Sequence, residues 1–453
     1  MARFSKKSAL PAPPDEILAW HGRPGAFERL NPPWEPAQVV RRDGGIAPGD
    51  RVELRVGPAW GSQRWVAEHR ALEEGDGFVD VQVEGPFKRW EHRHIVRAGT
   101  DGEGVLEDDI HFELPMGGLG RALGGSFVRG KLESVFAYRH RLTRDDLALH
   151  RRFADRPRMR VLLTGGSGLI GRSLVPLLGT GGHTAVRLQR GAGANQWDPA
   201  RGRLEPGVLD GIDAVVHLSG ANVGGGRWTA ARRAEIVASR LDSTRLLIEG
   251  MAASRSGPRV LVCASASGYY GPGGDEWFEE DDPAGRGFLA DVCRQWEEAA
   301  GRARDLGVRL VCARIGVVLT PAGGALQRML PFFGKGLGGP IGSGRQYMSW
   351  IGLDDALGGL YAALMDDALV GPVNLTAPEP VTSAAFSRAL GRVLRRPALV
   401  PVPAAVIGAL WGQMGREILL EGNRVRPRRL LESGYVFRFS ALEEALAFYL
   451  GKI

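Results

Sequence analysis

The chain has 453 residues, 44% of them hydrophobic and 24% charged with both signs interspersed, which excludes a disordered or fibrous protein. Single cores stop growing near about 250–300 residues, so two or three units are expected. The formal charge of +7 is carried largely by Arg spread along the chain rather than gathered in one run, so no nucleic-acid footprint is expected, and an anionic cofactor would account for part of it.

The N-terminal MARFSKKSALPAPPDE carries basic residues with no apolar run behind them, and no window approaches the roughly 18–20 apolar residues of a membrane span. A cytoplasmic protein without a membrane span is therefore expected. Residues 1 to about 150 hold alternating segments (RVELRV, FVDVQVEG, HRHIVRA) separated by Gly, Pro and Asp turns, which predict antiparallel strands, followed by a helix over Leu132 to Phe153. Seven of the nine histidines fall here: His21, His69, His92, His94, His111, His140 and His150. His92 and His94 share one face of a strand and could both ligate a metal. No Cys lies near them and no acid stands at a recognisable ligand spacing, so satisfied or surface histidines, and no metal, are the expectation. Trp34, Trp65, Phe87 and Trp90 are expected in the core.

After the polar linker DRPRMR, strand-like runs at Val161–Thr164, Ala185–Leu188, Ala214–Leu218, Val260–Ser265 and Arg309–Arg314 alternate with helix-length segments, the pattern of βαβ units in a parallel sheet. Within RVLLTGGSGLIGRSLVPLL an apolar strand runs through Gly165, Gly168 and Gly171 into an amphipathic helix. The first glycine permits the turn, the second lets backbone approach a pyrophosphate, and the third lets helix pack on strand, while the helix N-terminus offers free N–H groups to phosphate. About twenty residues on, where an acid would bind the ribose hydroxyls of NAD, HTAVRLQR places Arg187 and Arg190, which suit a 2′-phosphate and point to NADP(H), Arg190 being the better placed by alternation. The cysteines Cys263, Cys293 and Cys312 lack disulfide or zinc spacing and are expected to be core thiols in a reducing compartment. From about Val381 the pattern is mostly helical.

Over about residues 159 to 450 the chain resembles the atypical, extended short-chain dehydrogenase/reductases known as NAD(P)-dependent epimerase/dehydratase-like "epimerase family" proteins. The likeness is carried by TGGSGLIG, the WDP at Trp197–Pro199, HLSGANV, RRAEIVASRLDST, SASGYYG, RIGVVLTPAGGAL, GLGGPIGSGRQYMSWIGLDD and GPVNLTAPEPV. It implies a Rossmann-type doubly wound parallel sheet over 159–380 and a family-specific helical domain over 400–450. It also implies a cofactor site of Thr164, Gly165, Gly166, Ser167, Gly168, Leu169, Ile170, Gly171, Gln189, Arg190, Leu218, Ser219, Glu235, Arg240 and Val318. Residues 1–155, through WHGRPGAFERLNPPW and EGPFKRWEHRH, resemble the α+β helix-grip fold of polyketide cyclase/dehydrase and lipid-transport (START-like) proteins, which implies a cavity for a small apolar ligand.

A reductase of this superfamily uses a Tyr, a Lys four residues on, and an orienting Ser or Thr. Here Phe288 or Leu289 stands at the Tyr position, Cys293 or Arg294 at the Lys position, and Ala266 near that of the hydroxyl. Three readings follow. The chain is an NADP-dependent oxidoreductase or nucleoside-sugar-epimerase-like enzyme using another donor among Ser265, Ser267, Tyr269 and Tyr270, with Asp291 further off. Alternatively it is a non-catalytic NADP(H) sensor with an apolar-ligand module, or an arrangement in which the N-terminal pocket holds what the Rossmann domain reduces. Arg345, Gln346, Trp350 and Asp354 are candidates to line the substrate cleft, and Gly352 replaces a family His. Asp354 and Asp355 are expected to cap a helix.

Overall fold

The computed structural model describes residues 1–35, 37–57, 61–73, 75–115, 117–191 and 195–453, with the side chains of all of these except 117–123. The chain divides into two compact units, one of Met1–Arg156 with Pro176–Gly182 and Phe448–Ile453, the other of Pro157–Val175 with His183–Ala447. The C-terminal segment thus falls within the second unit as far as Ala447, and its last residues, Phe448–Ile453, within the first.

In the first unit, strands β1 (Ala2–Leu10), β2 (Ala37–Asp43), β3 (Arg51–Val56), β4 (Gln63–Ala71), β5 (Asp76–Glu84), β6 (Arg89–Ala98) and β7 (Gly104–Glu113) form one antiparallel sheet in the order β1-β7-β6-β5-β4-β3-β2. Two short helices, α1 (Pro14–Gly22) and α2 (Ala26–Leu30), follow β1, and the long α3 (Gly117–Arg152) closes the unit. The last helix begins fifteen residues ahead of the expected Leu132. Strand β1 was not anticipated: its alternation is masked by Lys6 and Lys7, yet Phe4 and Leu10 are buried. Phe4, Trp90, Ile110, Phe112, Leu132 and Phe136 pack as one apolar cluster between sheet and helix, as an amphipathic helix laid on a sheet face requires.

In the second unit, β8 (Arg160–Thr164) leads into α4 (Leu169–Thr180), β9 (Thr184–Arg187), β10 (Ala214–His217), α5 (Ala230–Ala253), β11 (Val260–Ala266), α6 (Phe288–Gly301), β12 (Arg309–Ile315), α7 (Gly324–Gly334), α8 (Leu353–Met365) and β13 (Gly371–Leu375). Six parallel strands lie in the order β13-β12-β11-β10-β8-β9. They read as unbroken apolar runs because helices cover both faces, and Val161, Leu162, Val216, Val262 and Val311 are fully or almost fully buried. Beyond β9 the connection forms a two-stranded hairpin, Trp197–Asp198 against Arg203–Leu204, rather than a further parallel strand. Strand β13 was not expected, since GPVNL begins with Gly and Pro. The chain reverses direction across the sheet between β8 and β10, and a doubly wound sheet opens a crevice for ligand at the carboxyl ends there. The C-terminal segment adds α9 (Ser383–Leu394), α10 (Ala404–Gly415), α11 (Arg428–Glu432) and α12 (Leu442–Tyr449). Among the described residues no helix is long and apolar enough to cross a membrane.

Candidate functional site

The β8–α4 turn is a cradle that only glycine permits. Gly165 has φ +68°, and a Cβ there would stand 2.8 Å from the carbonyl of Leu218. One on Gly171 would stand 2.3 Å from Gly165 O, and one on Gly168 3.2 Å from the same atom. The Gly168 carbonyl accepts the Arg172 N–H at 2.9 Å, which starts α4, and Ser167 and Gly168 lie exposed at its mouth. The free N–H groups of the first turn and the lack of side chains in front of them fit a dinucleotide pyrophosphate. Leu169 and Ile170 are half-buried, and Leu169 reaches the Gly323–Gly324 turn that follows the strand containing Val318.

Several expected cofactor residues prove to brace this cradle. Thr164 is fully buried, its hydroxyl 2.7 Å from His217 Nδ1 and accepting the Leu218 N–H at 3.2 Å, which locks the ends of β8 and β10 together. Burial, then the charge of Arg240, pushes the His217 imidazole down to about 3, so it stays neutral. Arg240 donates to the carbonyls of Ala221 (3.1 Å) and Ile236 (3.0 Å) and lies on the Trp296 ring, holding the loop beyond Leu218 and Ser219. Glu235 is exposed and paired with Arg232. Gln189 and Arg190 are exposed, while the side chain of Arg187 crosses the glycine turn: a Cβ on Gly166 would stand 3.3 Å from Arg187 Cγ.

The catalytic candidates lie at the carboxyl end of β11. Ser265 donates to Glu297 Oε1 at 2.6 Å. Arg314 grips the same carboxylate through two bonds, Nε to Oε1 at 2.9 Å and Nη2 to Oε2 at 2.8 Å, and donates from Nη1 to the Tyr270 hydroxyl at 2.9 Å. That hydroxyl in turn donates to Asn374 Oδ1 at 2.8 Å. Burial raises the Tyr270 phenol far above its ordinary value despite the Arg314 charge. Ser265 and Tyr270 are thus enclosed in a bonded network, whereas Ser267 and Tyr269 are half-buried at its edge, with the Arg314 guanidinium 3.4 Å from the centre of the Tyr269 ring. Asp291 is exposed on α6.

In the first unit a cavity of about 560 Å³ opens between sheet and helices. Trp65, Phe87, Trp90 and Phe136 line one part, and His69, Asp80, His92 and His94 another. Trp65, Phe87 and Trp90 also stack edge to face with one another or tilted, so they are at once core and cavity wall. His94 sits between Asp80 and Asp108; burial opposes its charge, but the two carboxylates outweigh this and raise it to about 9. His21, with no such partner, is pushed down to about 4 by burial.

Residues 161–372 match the model of the NAD dependent epimerase/dehydratase family, residues 10–136 that of polyketide cyclase / dehydrase and lipid transport, and residues 402–448 a domain of unknown function. An epimerase family protein of Mycobacterium bovis is 44% identical over 292 residues, 64% of this chain and 96% of that one. The chain belongs to the epimerase family. The human family protein SDR39U1 is 39% identical over 293 residues, 64% of this chain and 98% of its own. Its structure with NADPH superposes with TM-score 0.61 at 36% identity, over 65% of this chain and all of that one. A structure described as a nucleoside-diphosphate sugar epimerase from Corynebacterium glutamicum covers 99% of this chain and 90% of its own, with TM-score 0.80 and 30% identity, so the likeness includes the antiparallel unit.

In this family member the helix that would carry Tyr and Lys is closed off by the C-terminal segment. Phe288 and Leu289 pack with Trp228, Val292, Trp411 and Met414, and Glu417 accepts their backbone N–H groups at 3.2 and 3.0 Å, capping α6 where Gly287 supplies no side chain. Asn423 donates to the carbonyls of Ser267 (2.8 Å) and Gly271 (3.2 Å) and so fixes the loop bearing Tyr269. Sequence reading missed Glu297, Arg314, Glu417 and Asn423. Of these only Arg314, a charge ending an apolar strand, left a local signal. Gln346 donates to Ile341 O and Leu419 O, and Trp350 is buried with its indole N–H on Glu379 O, so both hold the loop in place, while Arg345 stays exposed.

Asp355 differs from its expected role. Its carboxylate accepts the N–H groups of Arg438 (2.8 Å) and Phe439 (3.1 Å), tying the C-terminal segment down rather than capping its own helix. Burial pushes this carboxyl up to about 7, more than those N–H bonds and the Arg438 charge lower it. The unfolded chain loses the proton near about pH 4, so the stabilisation is full below that pH and is lost as pH rises through about 7. The thermal midpoint of the second unit should therefore fall between about pH 4 and pH 7 and level off above, and Asp355→Asn should flatten that fall while costing about 1–3 kcal/mol for the unmatched N–H. An equal slope in the variant would assign the pH dependence to other groups.

Proposed function

We propose that the chain is an NADP(H)-dependent oxidoreductase or epimerase-like enzyme acting on a small molecule, with a sugar nucleotide as the first class to test. The observation that carries this is the turn Gly165–Gly171 at the switch point of the sheet, where Gly165, Gly168 and Gly171 leave no room for a Cβ and Arg187 lies against Gly166. Support comes from the NADPH in the human relative's structure and from the sugar-epimerase description of the Corynebacterium glutamicum structure. The nicotinamide, when bound, supplies hydride exchange with a substrate carbon. The α4 N-terminus holds the pyrophosphate, Arg187 and Arg190 hold the 2′-phosphate, and the edge hydroxyls of Ser267 and Tyr269 orient the substrate oxygen and move its proton. Ser265, Tyr270, Glu297 and Arg314 act as positioning residues beneath them.

A second reading, a non-catalytic NADP(H) sensor, is favoured by one observation: apolar side chains and the Glu417 cap occupy the place of the usual acid/base pair. Fluorescence titration tests the shared premise. Arg187→Ala and Arg190→Ala should each weaken NADPH by roughly 10- to 100-fold and NADH by much less, the loss expected of one charge-assisted contact. Equal weakening of both cofactors would remove the preference for NADP, and no NADPH binding by the parent chain would remove the reading. Oxidation of bound NADPH by sugar nucleotides or other carbonyl compounds separates enzyme from sensor.

A further inference from the structure

We propose that Asp80, His92 and His94 form a mononuclear site for a divalent first-row transition metal at the polar end of the cavity in the antiparallel unit. The register of the sheet builds it. Asp80 on β5 stands directly across from His92 on β6 and from His69 on β4, and His94 stands directly across from Asp108 on β7. Residues directly opposite in an antiparallel pair share a face, and His92 and His94, two apart, share it as well. One Asp and two His from neighbouring strands therefore point into the same space.

The distances fit a single ion. Asp80 Oδ2 lies 3.1 Å from His94 Nε2 and 3.8 Å from His92 Nδ1, and one ligand atom from each of the three residues falls within 4.8 Å of the other two. Ligands about 2.0–2.1 Å from a tetrahedral ion stand about 3.4 Å apart, between the two measured separations. Two imidazoles and a carboxylate select zinc, iron, cobalt or nickel over magnesium or calcium.

The atoms behind these three are arranged as metal sites arrange them. His92 Nε2 bonds to Asp108 Oδ1 at 2.7 Å, His94 Nδ1 lies 2.8 Å from the same oxygen without the alignment of a hydrogen bond, and His140 Nε2 bonds to Asp108 Oδ2 at 2.6 Å. The other oxygen of Asp80 is bonded to His69 Nδ1. Asp80 and His92 thus each have a hydrogen-bonded outer partner that fixes their orientation, the arrangement on which metal affinity depends, and His94 lies against the same Asp108 carboxylate. The three ligands line the cavity wall, leaving coordination positions open toward a bound molecule's polar group.

The test uses the full chain, treated with chelator and titrated with Co²⁺ followed by visible d–d absorption, with Zn²⁺ competition giving the zinc affinity. One equivalent of each metal is expected to bind. Asp80→Asn and His94→Gln should each weaken binding more than 100-fold, and Asp108→Asn roughly 10- to 100-fold through the outer partner, with far-UV circular dichroism checking each fold. No stoichiometric binding by the parent chain would overturn the proposal and leave a proton-bonded His/Asp network. Binding that persists unchanged in folded Asp80→Asn and His94→Gln would overturn it too, by placing the metal elsewhere. Should a single variant fail to fold, the parent titration still decides.

Discussion

Replacing Arg314 by methionine is expected to destabilise the second unit by about 3–5 kcal/mol, the cost of leaving one partner of a buried ion pair without its counter-charge. The guanidinium is 3% exposed and Glu297 14%, so solvent screens little of the loss. The substitution also removes the donor to the Tyr270 hydroxyl and to Glu280 O, and the cation from the Tyr269 ring. Arg314→Lys should recover part of this, since an ammonium keeps the charge but cannot make the two parallel bonds to Glu297. The double variant Arg314→Met with Glu297→Leu should be more stable than Arg314→Met alone, because no lone charge remains. Chemical denaturation of the four proteins checks the series, and a single variant no less stable than the double one would show that the pair is not what holds this region.

The second large effect is on nucleotide binding. Gly171→Ala puts a Cβ 2.3 Å from Gly165 O and 2.8 Å from Gly166 Cα, both of them backbone atoms that no rotamer change can clear. Overpacking of this kind costs about 1–3 kcal/mol, and a cradle forced open by that amount should bind NADPH roughly 10- to 100-fold more weakly. Gly301→Ala, at the end of α6 with nothing within 4 Å of the added atom, is the matched control and should leave binding unchanged. Equal NADPH affinity in both variants would place the dinucleotide elsewhere.

The contrast between these two sites explains what could be read from the chain alone. Each glycine of the β8–α4 turn answers a steric demand within a few residues of itself, so its role was legible in one short segment. The parallel sheet was legible for the same reason, through unbroken apolar runs, and it failed only at β13, where Gly371 and Pro372 disguise a strand whose partner is already built. The network around Arg314 joins Ser265 to Glu297, 32 positions on, and Tyr270 to Asn374, 104 positions on, and nothing local announces such a meeting. The His/Asp cluster failed in another way. His92 and His94 were visible as a pair, but Asp80 and Asp108 reach them only through strand register, which spacing along the chain does not encode. Arg187 and Arg190 were both read as candidates, with Arg190 ranked first by alternation, which orders faces and not reach; the Arg187 side chain lies against Gly166.

The cap that Glu417 places on α6 and the two bonds Asn423 makes to the Ser267–Gly271 loop set the order in which the molecule can mature during translation. All six strands of the parallel sheet, with the glycine turn after the first of them, have been synthesised once Leu375 is made. The α6 N-terminus and the Tyr269 loop still wait for residues more than forty positions further on. If the proposed function holds, a nascent chain has made the residues that would hold the nucleotide before those that fix the loop proposed to face the substrate.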